Sequence, residues 1–337
     1  MADESFGTPE ILTDKPVIGI SACLYDCPVR YNGKRFDAVS RLGREKGGLR
    51  FMPVCPECMA GFGVPRDPIH LTGPGKDVLA GTARVVNRHG RDVTADLVAG
   101  AQACADALDR AGVRVVILKE ESPSCGLLKT RVGNGQREQR VKAAGVFGAL
   151  LVRKGWFIIP DAAFDSPLKW WDWRRRMHAW LWLSARSVRT NGELSDAWHV
   201  VKFIVQETQR AEADAIGRAI AGLPRHAAAE EIEAVRARML DALRAPTTPQ
   251  RALAAMWKAY TYHRKRGTLE GVDLHELTVR SPEVRRNATA LAQELLVLER
   301  VSFENDLLFA PSPVLYRERR RVRARDEALG RTPDRKE

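Results

Sequence analysis

Three times in the first 126 residues, a short aliphatic run of strand character is followed closely by a cysteine. Val17-Ile-Gly-Ile-Ser21 leads to Cys23, and Phe51-Met-Pro-Val54 leads to Cys55. Val113, Val115, Val116, Ile117 and Leu118 lead to Cys125 through a Ser122-Pro-Ser-Cys-Gly126 loop. Pro123 and Gly126 fix a tight turn there, which places Cys125 at its tip. An open α/β sheet presents its working groups just past the carboxyl ends of its strands. If the three runs are parallel neighbours, their three sulfurs meet at one edge of the sheet.

The sequence around these runs agrees with such a sheet. From residue 16 to 160, strand and helix signals alternate, as in an α/β domain. Residues 37–46 read as a short helix ending at Gly47-Gly48, and 78–87 as a hairpin-like excursion turning at His89-Gly90. Asp92 or Thr94 caps a helix that stops at Gly112, with Val93, Leu97, Ala101, Cys104 and Leu108 at helical spacing. Cys104 on that stripe reads as a core thiol. A polar segment over 132–142 leads to a helix over 146–154 and a closing strand over 156–159.

Residues 161–168 read as a linker, and 169–316 as an all-α domain. Its first helix, 170–189, carries Trp171, Trp180 and Leu181 with Arg174, Arg175 and Arg176, a core pattern more than a base-stacking platform. Ser195 is placed to cap a long helix reaching 223, followed by one over 227–244. Thr248-Pro249 and Ser281-Pro282 start helices running to about 266 and 300. The expected architecture is therefore an open, mostly parallel α/β sheet domain followed by a helical domain. A disordered stretch (1–15) precedes it and a basic tail (317–337) follows.

At 337 residues the chain can form two cores. No apolar run reaches the roughly 20 residues of a membrane helix, and the acidic start, MADESFGTPE, lacks signal-peptide chemistry. Both point to a cytoplasmic protein. All six cysteines lie at or before residue 125, a pattern of metal or thiol chemistry more than of a disulfide framework. No GxGxxG or P-loop indicates a nucleotide cofactor. The net charge of +12 and pI near 9.7 suit an anionic partner such as nucleic acid. That excess is +6 in residues 1–160 and +6 in 161–337, and six arginines between 317 and 325 put most of the latter in a tail, a solvated terminus or an RNA-binding one.

Several metal chemistries stay open on residue pattern alone. Cys55-x2-Cys58 with Cys23-x3-Cys27 gives zinc one good knuckle and one loose pair, which would suit a zinc-stabilised RNA-binding module without catalysis. Cys55 and Cys58 also permit a dithiol redox protein. Three dispersed loop cysteines better suit an iron–sulfur cluster held by three thiolates, with one iron open as a Lewis acid whose softest partner is sulfur.

Six ordered motifs then resemble the TudS-like thiouracil desulfidase family over residues 16–160. They are Ile20-Ser-Ala-Cys-Leu24, Val29-Arg-Tyr-Asn-Gly33, Pro53-Val-Cys-Pro-Glu57, Gly61-Phe-Gly-Val-Pro-Arg66, Asp92-Val-Thr94 and residues 119–126. Residues 169–318, through Ala197-Trp-His-Val-Val-Lys202, resemble the helical domain of RudS- and YbgA-type proteins. The resemblance implies a 4Fe–4S cluster on Cys23, Cys55 and Cys125, acting on a thiolated pyrimidine, above all 4-thiouridine in tRNA. It makes Glu57 and Ser122 the catalytic pair and places Arg66 and Lys119 against the substrate. Ser122 as a turn-capping hydroxyl, or Glu57 in a plain salt bridge with Arg66 or Lys119, are the alternatives. Cys58 competes with Cys55 for the ligand position, and Cys27 has no assigned role. His199 and Lys202, three apart on one helix, are the expected RNA contacts, against a reading as a packed His and a solvated Lys.

Overall fold

The computed structural model describes residues 9–133, 138–265 and 288–317. The chain forms two compact units, residues 16–165 and residues 166–337 joined by 1–15. The strand β1 (Glu10–Leu12) belongs to the second of these.

In the first unit the elements run β2 (Val17–Ser21), β3 (Arg50–Val54), α1 (Pro56–Met59), β4 (Ile69–Leu71), α2 (Gly75–Leu79) and β5 (Val85–Asn87). They continue with α3 (Thr94–Arg110), β6 (Val115–Leu118), β7 (Thr130–Gly133), β8 (Glu138–Val141), α4 (Val146–Arg153) and β9 (Phe157–Pro160). The main sheet has the order β3-β2-β6-β9, and every pairing in it is parallel. Its inner strands are apolar on both faces, with Ile18, Ile20, Val115, Val116, Ile117 and Leu118 excluded from solvent. Strands of a sheet covered on both sides have this composition. Leu97, Ala101, Cys104 and Leu108 of α3 are buried at the expected helical spacing. The three strands that precede cysteines are therefore parallel neighbours, with β2 between β3 and β6.

A second, mixed sheet has the order β5-β4-β7-β8, with β4 and β7 parallel and the outer pairs antiparallel. Periodicity does not reveal it, because its strands are only three or four residues long. The polar segment after 132 is part of its β7–β8 pair, and the excursion over 78–87 is the end of α2 followed by β5. The helix expected over 37–46 is instead a run of 3-10 turns, Val39–Gly48, interrupted at Gly43 by a positive φ of 53°. Residues 161–165, read as linker, form a 3-10 helix of the first unit, and Pro167 already opens the next helix.

The second unit contains α5 (Pro167–Ala185), α6 (Asn191–Thr208), α7 (Arg210–Gly222), α8 (Ala229–Ala242), α9 (Pro249–Lys265), α10 (Ala288–Glu304) and β10 (Val314–Tyr316). Ser195 does not cap α6. Thr190 does, in a reciprocal capping box with Glu193, and this Thr-x-x-Glu signature outranks a lone serine. The helix expected to reach 223 breaks at Gln209 (φ −145°, ψ 72°), where neither Gly nor Pro marks the break. β1 and β10 pair in parallel, so part of the segment expected to be disordered is an ordered strand, and the unit is not purely helical. The Ser281-Pro282 helix start and the basic tail beyond 317 lie outside the described residues. Trp170, Trp171, Trp180 and Trp182 are all buried, which bears out the core reading of that helix. No helix among the described residues is long and apolar enough to cross a membrane.

Candidate active site

Because β2, β3 and β6 are adjacent and parallel, the segments leaving their carboxyl ends converge on one cavity of about 490 Å3. Cys23, Cys55 and Cys125 all line it. So do Glu57, Ser122, Arg66 and Lys119, the remaining residues of this unit expected at the site.

The Cys125 loop is held by backbone contacts. Val146 and Phe147, at the start of α4, donate N–H bonds to the carbonyls of Pro123 and Ser124. The approach is so close that a Cβ on Gly145 would stand 2.4 Å from the Pro123 oxygen, and one on Gly148 2.2 Å from the Gly126 oxygen. The Ser122 hydroxyl accepts from the N–H groups of Ser124 (3.3 Å) and Cys125 (3.1 Å). This is the turn-capping geometry for Ser122.

Glu57 stands in the first turn of α1, two residues after Cys55. Its Oε1 accepts from the Ser124 hydroxyl at 2.7 Å, and its Oε2 from Arg66 Nε at 2.7 Å. Both side chains of the Glu57–Arg66 pair are largely shielded, at 15% and 5% exposure. Arg66 also donates to the Gly63 carbonyl. Burial works against its charge, but the Glu57 carboxylate more than offsets that and raises its pKa. Two lone-pair positions of the Glu57 carboxylate are thereby used, and about two remain for a water or a substrate N–H. Lys119 pairs with Asp161 at 2.7 Å rather than with Glu57, and its backbone N–H donates to the Ser21 hydroxyl.

Ser124, Ser21 and Asp161 are the partners that sequence reading missed. Ser124 is fully buried and lies 67 positions from Glu57, so no local signal links them.

The thiols bear the marks of a shared, partly dry space. Burial first, and then the Glu57 charge, push Cys23 up to about 11. Burial pushes Cys55 up to about 12. Cys125 is raised well above the usual thiol range by burial and then by Cys23, although the Ser21 hydroxyl, hydrogen-bonded to it, pulls the other way. Cys58 hydrogen-bonds the Cys55 sulfur but does not line the cavity. Cys104 is 1% exposed and hydrogen-bonds the backbone of Cys55 from the core. Cys27 donates its thiol to the Tyr25 carbonyl and lies outside the cavity lining. Among the described residues, no three Cys, His, Asp or Glu side chains group as ligands of a single metal ion.

Residues 18–162 match the 2-thiouracil desulfurase family. An uncharacterised protein of Bacillus subtilis (strain 168), YbbK, is 36% identical over 156 residues, covering 45% of this chain and all of the relative. The chain belongs to the 2-thiouracil desulfurase family. The structure of a [4Fe-4S]-dependent thiouracil desulfidase, TudS, is 34% identical over 44% of this chain and 93% of that one, with a TM-score of 0.37. The match to the 2-thiouracil desulfurase family ends at residue 162, before the helical unit begins at Ser166.

His199 and Lys202, the expected RNA contacts, lie in the helical unit. The His199 Nδ1 is 2.8 Å from the Ser195 carbonyl, and Lys202 Nζ lies 4.9 Å from the centre of the Phe203 ring.

Proposed function

We propose that this chain is an iron–sulfur-dependent desulfidase that hydrolyses thiolated uracil, with 4-thiouridine in tRNA as its main substrate. The observation that carries this reading is the convergence of Cys23, Cys55 and Cys125 with the Glu57–Ser124–Arg66 network on one cavity. Three thiols leaving adjacent strand ends are a soft donor set, as an iron–sulfur cluster requires, and His70 is the one imidazole on the same wall. When bound, a 4Fe–4S cluster held by three thiolates supplies an iron with an open position that is attracted to sulfur.

The overall change needs no electrons. Water replaces sulfur at the pyrimidine carbon, giving a carbonyl, and the sulfur leaves as hydrogen sulfide with the two protons of that water. Glu57 is the group placed to take the proton from the incoming water, with Ser124 fixing one carboxylate oxygen and Arg66 the other. Arg66 and Lys119, both on the cavity wall, suit the oxygen atoms of a pyrimidine. Ser122 holds the Cys125 loop.

Glu57→Gln is expected to keep bound iron while lowering turnover by about a hundredfold, the scale of a general base. Ser124→Ala should give a smaller loss, with iron retained. Ser122→Ala removes the acceptor of two backbone N–H groups beside a ligand and should lower iron content itself. Iron and acid-labile sulfide per chain, measured beside single-turnover rates, separate these outcomes. Loss of iron in Glu57→Gln would make that residue structural.

The tRNA half of the reading is supported by the helical unit and the net charge of +12, neither of which a free base needs. Cationic side chains that neutralise phosphates supply much of the affinity for nucleic acid, and a base inside a helix must leave its stack to enter such a cavity. Anaerobic incubation of thiolated tRNA with the full-length protein, followed by nucleoside digestion, should show 4-thiouridine replaced by uridine. Turnover of free 4-thiouracil with tRNA left untouched would reject the tRNA substrate and leave the desulfidase.

A further inference from the structure

Between α6 and α9 the helical unit carries a groove of about 360 Å3, at the small end of the range for ligand sites. Phe203 reaches it from α6, Arg210 from the first residue of α7, and Arg251, Lys258 and Tyr262 from α9. On α9 the spacing of seven then four residues keeps Arg251, Lys258 and Tyr262 on one helix face. Ala254, Ala255 and Ala259 face the same space, and these small side chains are why two neighbouring helices leave room between them.

The groove is positively charged as well as aromatic. Glu207 is the single acid among its lining residues, and both its oxygens are occupied by Arg175 and Thr247. Lys258 has no carboxylate partner among the described residues, and Arg251 donates to the Thr208 carbonyl rather than to an acid. Arg210 pairs with Asp214 in an exposed ion pair, the kind that an incoming anion displaces at little cost. Flat rings for stacking beside cations for phosphate are the chemistry of a nucleotide site, in which aromatic faces take bases regardless of identity.

We propose that this groove takes an unstacked nucleotide of the RNA substrate, its base against Phe203 and Tyr262 and its phosphates on Arg210, Arg251 and Lys258. The inference rests on the tRNA reading above and moves the RNA contact away from the expected His199 and Lys202, neither of which lines the groove.

The test compares full-length wild type, Tyr262→Ala, the double variant Arg210→Gln/Lys258→Gln, and His199→Gln. An unmodified tRNA transcript is the probe, titrated at several salt concentrations. Loss of the stacking ring should weaken binding about tenfold or more. Loss of two phosphate contacts should flatten the slope of log affinity against log salt by roughly 1.4 to 1.8. His199→Gln should bind as wild type, and free 4-thiouracil turnover should stay unchanged in all variants. Ultraviolet crosslinks to the transcript should map to peptides containing Phe203 or Tyr262. Wild-type affinity and slope in both groove variants would overturn the groove alone. Absence of tRNA binding by wild type at low salt would overturn the tRNA reading and the groove with it. Saturable binding of uridine monophosphate that Tyr262→Ala abolishes, without tRNA binding, would assign the groove to a free nucleotide and overturn the proposal as stated.

Discussion

Cys125→Ala should leave the protein colourless, without bound iron or labile sulfide, and without turnover. Cys125 shares its cavity with Cys23 and Cys55, and no other cysteine lines that wall. Two thiolates cannot replace three, so Cys23→Ala and Cys55→Ala should have the same effect. Cys55→Ala is the more searching variant, because Cys58 hydrogen-bonds the Cys55 sulfur and is the nearest available substitute. Cys58 stands outside the cavity lining, so iron should be lost there too, and Cys58→Ala alone should keep it. Cys104→Ala removes a core sulfur and should cost about 1 kcal/mol of stability, with iron unchanged. The measurement is iron and sulfide per chain after anaerobic purification, with the visible spectrum alongside. Full iron content in Cys125→Ala would overturn the ligand set and, with it, the iron–sulfur reading.

What the sequence reveals of this site and what it hides have a common physical origin. A parallel strand buried on both faces must be apolar along its length, so β2 and β6 stand out as runs, and the cysteine after each is visible by adjacency. Glu57 comes into view only through the family resemblance, although it follows Cys55 within one turn. Ser124 is adjacent to Cys125 as well, but its bond to Glu57 crosses the gap between two strands, and only the β3-β2-β6 order closes that gap. Ser122 shows the converse. Its place in the loop suits a catalytic hydroxyl, and the same hydroxyl accepts from two backbone N–H groups, at 3.3 and 3.1 Å, as a turn cap does. The second sheet escapes because strands of three residues carry no measurable alternation. The strand β1 escapes because a polar terminus becomes a strand only through pairing with β10, some 300 residues away. In the helical unit the basic residues are hidden in another way. The acid at i−3 of Arg175 and i−4 of Arg176 could have marked them as ion-paired, but spacing says nothing of their depth.

That depth gives the largest stability effect expected in the helical unit. Arg175 and Arg176 are fully shielded from solvent, and Asp172 is 4% exposed. One carboxylate serves both guanidinium groups: Oδ1 accepts two bonds from Arg175, and Oδ2 accepts two from Arg176 and one from the Thr247 N–H. Burial disfavours the Asp172 carboxylate, but the two guanidinium charges outweigh it and lower its pKa. Arg175 has a second acid in Glu207 and a carbonyl in Pro311, and these keep its pKa raised in spite of burial. Arg176 has Asp172 as its one bonded acid, with the carbonyls of Leu243 and Arg244 and the face of Trp173, and burial lowers its pKa. Asp172→Asn therefore leaves Arg176 as a buried cation without a bonded counter-charge. Removing one partner of a buried pair costs about 3–5 kcal/mol, which at about 2–4 °C per kcal/mol for a unit of this size lowers its melting temperature by roughly 6–20 °C. Glu207→Gln should cost less, because Arg175 keeps Asp172. Denaturant unfolding of the full chain, followed by tryptophan fluorescence that reports the buried α5 rings, measures both. A loss below about 1 kcal/mol in Asp172→Asn would show that Arg176 reaches water or another acid, and that this network does not hold the helices together.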